Sequence, residues 1–172
     1  MTRSLLLSVV AIFLTALGAR SAEPGSALQA LNALPAAYRN GVVWVSADNA
    51  NPNPAQWYIT ARNSGRGGGH VNIIVARGRI ISERPTLSPR AITRQLSPIN
   101  LRNVRFNSTD LWKEAGRFAG KRGQSLGSLS LQLQQRGANA TPIWSVWCYN
   151  KRGSYVGFFS ALATTGEIIE RR

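Results

Sequence analysis

Through most of its length the chain alternates apolar and polar residues with a period of two, the spacing of a strand with one buried face. Trp57, Ile59 and Ala61 fall on one side of residues 56–62. Leu129, Leu131 and Leu133 oppose Ser130, Gln132 and Gln134 in residues 126–135. The same reading predicts strands over 41–47, 71–76, 79–84, 143–150, 155–163 and 167–170. Turn chemistry separates them. Residues 48–54 (DNANPNP) hold Asn, Asp and two Pro, and residues 63–69 (NSGRGGG) are Gly-rich. Arg77-Gly78, residues 137–142, Lys151-Arg152-Gly153 and Thr164-Thr165-Gly166 form the tighter breaks.

The period lengthens to that of a helix in three places. Ser26 stands as an N-cap before Ala27, Leu28, Ala30, Leu31 and Leu34, with the helix ending near Pro35 or at Asn40-Gly41. Ser88-Pro89 predicts a short helix to about Leu96, closed by Pro98, with an extended stretch over 99–106. The clearest helix covers residues 110–121, after the capping residues Asn107, Ser108, Thr109 and Asp110. Leu111, Ala115, Phe118 and Ala119 share one of its faces, and Gly120 and Gly123 end it.

The two halves read alike, each running helix, strand, strand, Gly-containing turn, strand, tight turn, strand. With Trp57 laid on Trp144, Ile59 meets Val146, Ala61 meets Cys148 and Asn63 meets Asn150. Gly78 with Ile80-Ile81 then matches Gly166 with Ile168-Ile169, the Trp-to-Gly separation being 21 residues in one half and 22 in the other. Matched order at near-equal spacing points to an internal duplication. Trp57, Gly78, Trp144, Gly153 and Gly166 are its structural signposts, the glycines supplying turns with positive φ.

The second half carries a short helix (110–121), then Ile143-Trp144-Ser145-Val146-Trp147, the turn Asn150-Lys151-Arg152-Gly153, and the close Thr164-Thr165-Gly166-Glu167-Ile168-Ile169. In this order it resembles the PepSY domain family. The resemblance is good over residues 104–172 and weaker over 26–84. Asn150 stands where the family usually has an acidic turn residue, and Thr164 where Asp or Ala is common. The resemblance implies an α+β fold of two helix-plus-antiparallel-meander (PepSY-like) units, with one shared sheet as an option. The first, degenerate repeat would cover 23–87 and the second 88–172. It also implies an extracytoplasmic module that binds or restrains a partner such as a peptidase, with no catalytic residue set to carry over.

The N-terminus agrees with export. Arg3 precedes an apolar run over 5–17 broken only by Ser8 and Thr15, and Ala19 and Ser21 provide small residues for signal cleavage after Ser21 or Ala22. Residues 1–22 are therefore expected to be a signal peptide and the mature protein periplasmic or secreted. No later stretch is apolar enough to predict a membrane anchor.

Charge narrows the partners. Without Arg3 and Arg20 the chain keeps 19 basic residues against 7 acidic, and Arg outnumbers Lys 18 to 3 in the full sequence. Such a surface attracts anions. The cations are scattered, with only Lys121-Arg122, Lys151-Arg152 and Arg171-Arg172 adjacent. That favours a diffuse basic surface over a dedicated nucleic-acid site, and an export signal removes most nucleic acid from reach. The expected partner is an extracytoplasmic protein, and the alternative is an anionic envelope polymer or lipid headgroup. Arg62, Arg66 and His70 around the Gly-rich turn, with Arg152, are the candidate anion ligands.

Catalytic chemistry finds little footing. One His, one Cys and seven scattered acids give neither a zinc set nor a calcium loop. The glycines of residues 65–69 lead into a strand rather than a helix, which is wrong for a phosphate loop. Cys148 sits in an apolar strand and reads as a small core residue rather than a nucleophile paired with His70. No metal, no cofactor and no enzymatic activity are expected.

Overall fold

The computed structural model describes residues 25–62, 69–86 and 95–172. The signal sequence, Arg66 and the helix expected at 88–96, except its last two residues, lie outside them.

Among the described residues eight strands form the frame: β1 (Val42–Ala50), β2 (Trp57–Arg62), β3 (His70–Ala76), β4 (Arg79–Thr86), β5 (Leu126–Gln134), β6 (Ile143–Asn150), β7 (Tyr155–Leu162) and β8 (Ile168–Arg171). Two short helices precede them, α1 (Ala27–Asn32) and α2 (Ala36–Arg39), and a longer one, α3 (Ser108–Gly120), stands between β4 and β5. All eight strands pair into one antiparallel sheet in the order β4-β3-β2-β1-β5-β6-β7-β8.

This corrects the expected fold. The two helix-plus-meander units give way to a single continuous sheet with short helices laid on it. The cause lies in β1, which uses both of its edges. Trp44, Val45 and Ser46 pair with Thr60, Ile59 and Tyr58 of β2 on one side. On the other side they pair with Gln134, Leu133 and Gln132 of β5. The six-residue α1 and four-residue α2 are too short to form a covering layer over the first four strands. Two boundaries also move. β1 runs on to Ala50, through the start of the segment expected to turn, with a register shift between Ala47 and Ala50. The stretch expected to be extended at 99–106 contains a turn of 3-10 helix, Leu101–Asn103.

One face of the sheet meets the helices. Ala30, Leu31 and Leu34 from the N-terminal helical segment and Leu111, Ala115 and Phe118 from α3 share a single buried cluster with Val45, Ile59, Ile73, Leu131, Val146 and Phe159 of the strands. Trp57 and Trp144 meet at its centre, ring centroids 6.4 Å apart. Each indole is anchored in the same way. Trp57 Nε1 donates to the Gly25 carbonyl and Trp144 Nε1 to the Phe106 carbonyl, both at 2.8 Å. Those carbonyls belong to the residues just before the N-caps Ser26 and Asn107. The start of α3 also satisfies the start of α1. The Ala27 N–H donates to Ser108 Oγ at 3.2 Å and the Leu28 N–H to Asn107 Oδ1 at 3.3 Å. Donors that a helix leaves unpaired in its first turn are thereby used as a joint.

Candidate functional site

The opposite face of the sheet receives none of α1, α2 or α3. Strand register sorts its side chains into rows. Thr60, Trp44, Gln134, Ile143 and Leu162 form one row across five strands. Tyr58, Ser46, Gln132, Ser145 and Ser160 form the next. Ser130, Trp147 and Phe158 form a third, with the two aromatic rings 5.2 Å apart. Tyr149 and Tyr155 follow beyond it, 6.1 Å apart. None of Trp44, Trp147 or Phe158 packs against the buried cluster.

The geometry is a polar trough between two apolar ridges. Ser145 and Ser160 are 8% and 5% exposed, sunk between larger neighbours. Over β2 to β7 the residues of these rows carry no charge, in a chain whose formal net charge is +14; charge enters where the register reaches the edge strands, at Arg84, Glu170 and Arg172. Gln134 is 8% exposed and its Oε1 has no hydrogen-bond partner. A buried amide oxygen without a donor is costly, by about 1–3 kcal/mol. Rigid aromatic rings beside Ser and Gln groups are the side-chain mixture that protein-recognition surfaces use.

Of the described candidate anion ligands, Arg62 and His70 stand side by side and Arg152 stands apart from them. The Arg62 guanidinium donates to the Leu96 carbonyl at 2.8 Å. His70 is its register partner on β3 and is buried. Arg152 is exposed in the β6–β7 turn, where Asn150 Oδ1 accepts from the Arg152 and Ser154 N–H groups. That turn lies at the other end of the sheet, roughly 24 Å along the strands from the Arg62 end. The structural signposts take their turn positions, with φ of +72°, +77° and +79° at Gly78, Gly153 and Gly166.

Comparison with protein-family models, curated proteins and solved structures finds no match.

Cys148 is fully buried on the helix-covered face, opposite Leu129 and Gly157. Burial pushes its thiol up to about 12, against the opposing pull of the Arg122 charge. A thiol so protonated is a poor nucleophile at neutral pH. His70 stands four strands away on the other face, about 19 Å across the sheet, so the two cannot form a dyad. Among the described residues no group of three His, Cys, Asp or Glu is placed to hold a metal ion. None of their helices is long and apolar enough to cross a membrane.

Sequence reasoning left Trp44, Trp147, Phe158 and Gln134 out of the site. A usable signal was there: Trp44 shares its phase with Ser46, Trp147 with Ser145 and Phe158 with Ser160. Large aromatics on the polar phase of a strand mark a face meant for something other than the protein's own core.

Proposed function

We propose that this protein is an exported, non-catalytic binding module that grips an extracytoplasmic protein with the face of its sheet turned away from α1, α2 and α3. The observation that carries this reading is the pair of apolar ridges, built on Trp44 and on Trp147 with Phe158, around an uncharged hydroxyl and amide trough. Interfaces place aromatic anchors at their centre and exclude charge there. The resemblance of residues 104–172 to PepSY domains adds the expectation that binding restrains the partner, with a peptidase as the first candidate.

An uncharged contact surface makes a definite demand, that affinity survive salt. Tagged mature protein is immobilised, exposed to the native envelope fraction, and washed at low and then high salt. The expected result is one protein retained at fixed stoichiometry through the high-salt wash by the wild type and lost by a Trp44→Ala/Trp147→Ala variant of unchanged thermal stability. Release of everything at high salt, with anionic polymer in the eluate, would replace this reading with polyanion binding, whose affinity falls steeply with salt.

A further inference from the structure

On the helix side of the sheet, α3 covers β5 and β6 and leaves a groove over β7 and β8. It is a small cavity of about 50 Å³, open to solvent. Its floor is apolar, made by Phe118, Phe159 and Ile168, and its walls carry Arg117 and Lys121 from α3 and Arg171 from β8. Glu114 also lines it and is ion-paired with Arg117. Lys121 and Arg171 have no ion pair among the described residues, so the walls keep an excess of positive charge over an apolar floor.

The strand beside the groove is the last of the sheet. Arg172 exchanges both backbone bonds with Phe158, N–H to O at 2.9 Å and O from N–H at 3.1 Å. In an antiparallel pair the next residue must face the other way, so the N–H and C=O of Arg171 point to the free edge. The opposite edge, β4, is treated differently. Pro85 removes a donor there, and the Tyr38 hydroxyl donates to Glu83, closing the helix-side surface of that strand with the chain's own aromatic ring. β8 contains no Pro, and Arg171 stands free where Glu83 is occupied.

We propose that the groove and the β8 edge together form a second site, distinct from the open face, for an extended acidic segment of a partner protein. The segment adds antiparallel to β8 through the backbone of Arg171. The residue opposite Arg171 has its side chain on the groove side, where a carboxylate meets Arg171 and Lys121. A residue two positions along, on the same side, lays an apolar side chain on Ile168 and Phe118. Free backbone groups at an edge select a peptide over a lipid, because an acyl chain offers nothing for them to bond.

The test is fluorescence anisotropy with the mature protein at low salt and three labelled peptides of equal length. One alternates Glu and Val, one alternates Lys and Val, and one alternates Glu and Pro, keeping the negative charge while losing half the backbone donors. The Glu-Val peptide is expected to bind at least about tenfold more tightly than either other peptide. Lys121→Glu and Arg171→Glu are each expected to weaken it about tenfold, while Arg136→Glu, on an exposed turn elsewhere, and Trp147→Ala leave it unchanged. Equal binding of the Glu-Pro peptide, equal loss in Arg136→Glu, or displacement of the peptide by anionic phosphatidylglycerol vesicles but not by neutral ones would overturn the proposal. Loss in Trp147→Ala would place the peptide on the open face instead.

Discussion

Two glycines with nearly the same backbone angle separate strain from collision. Gly153 and Gly166 have φ of +77° and +79°, so an alanine at either must hold a left-handed conformation. A Cβ on Gly153 meets nothing within 4 Å. A Cβ on Gly166 runs into the Phe106 ring, with Cδ2 at 2.6 Å and Cζ at 2.7 Å. The ring cannot simply move aside. The Arg105 and Phe106 N–H groups both donate to the Ala163 carbonyl at 2.8 Å, and the Phe106 carbonyl holds the Trp144 indole. Gly153→Ala should therefore cost the left-handed penalty alone, about 1 kcal/mol. Gly166→Ala adds overpacking, for a total of about 2–4 kcal/mol. At this chain length those figures correspond to Tm losses of about 3 °C and about 10 °C. The assay is thermal and urea unfolding followed by circular dichroism. A double variant, Gly166→Ala with Phe106→Ala, should show favourable coupling because the obstructing ring is gone. Equal losses for the two single alanines, or no coupling in the double variant, would refute the account of Phe106 as a fixed wall.

Three further outcomes follow from the buried groups. The folded Cys148 thiol is raised above its ordinary value, so the native state holds that proton more tightly than the unfolded chain. Stability should be insensitive to this group below about pH 9 and fall above it by up to roughly 1.4 kcal/mol per pH unit, and urea melts of Cys148→Ala should lose that added slope. Asn107 forms a capping box with Asp110 and also accepts from the start of α1, so Asn107→Ala should cost about 1–2 kcal/mol in urea unfolding while Asn107→Asp largely retains stability. Gln134→Leu removes a buried acceptor without a donor and should leave stability unchanged or raise it by up to about 1 kcal/mol, yet weaken partner retention. A loss of stability there would mean that the amide is needed by the fold itself.

Much of the local structure was legible because it depends on neighbours in sequence. The alternation of Trp57, Ile59 and Ala61 appears as buried positions of β2, and Leu111, Ala115, Phe118 and Ala119 are the buried face of α3. Ser26 caps α1 through its hydroxyl. The assembly was not legible, because the β1–β5 pairing joins residues about 80–90 positions apart and no local pattern encodes which edge meets which. The candidate site was hidden for a related reason. Alternation divides a strand into two faces but does not say which one the helices cover, so nothing in it marked Trp44 and Trp147 as standing outside the core. The charged residues drew attention first, and the sheet puts Arg62 and Arg152 at opposite ends.

The strand order also dictates a sequence of events as the chain is made. Every strand pair except β1–β5 joins neighbours along the chain, so each hairpin can close as soon as its second strand emerges. β1 alone must wait. After β4 has formed, the edge of β1 that will meet β5 stays without a partner until β5 appears, with the 75 residues 51–125 lying between the end of β1 at Ala50 and the start of β5 at Leu126. During that interval the half-built sheet presents a row of open backbone groups at what will become its centre, on a strand whose single charge is Asp48 and which holds no proline. The hazard for this molecule is therefore greatest before it is finished, and a holding chaperone would do most for it in that window.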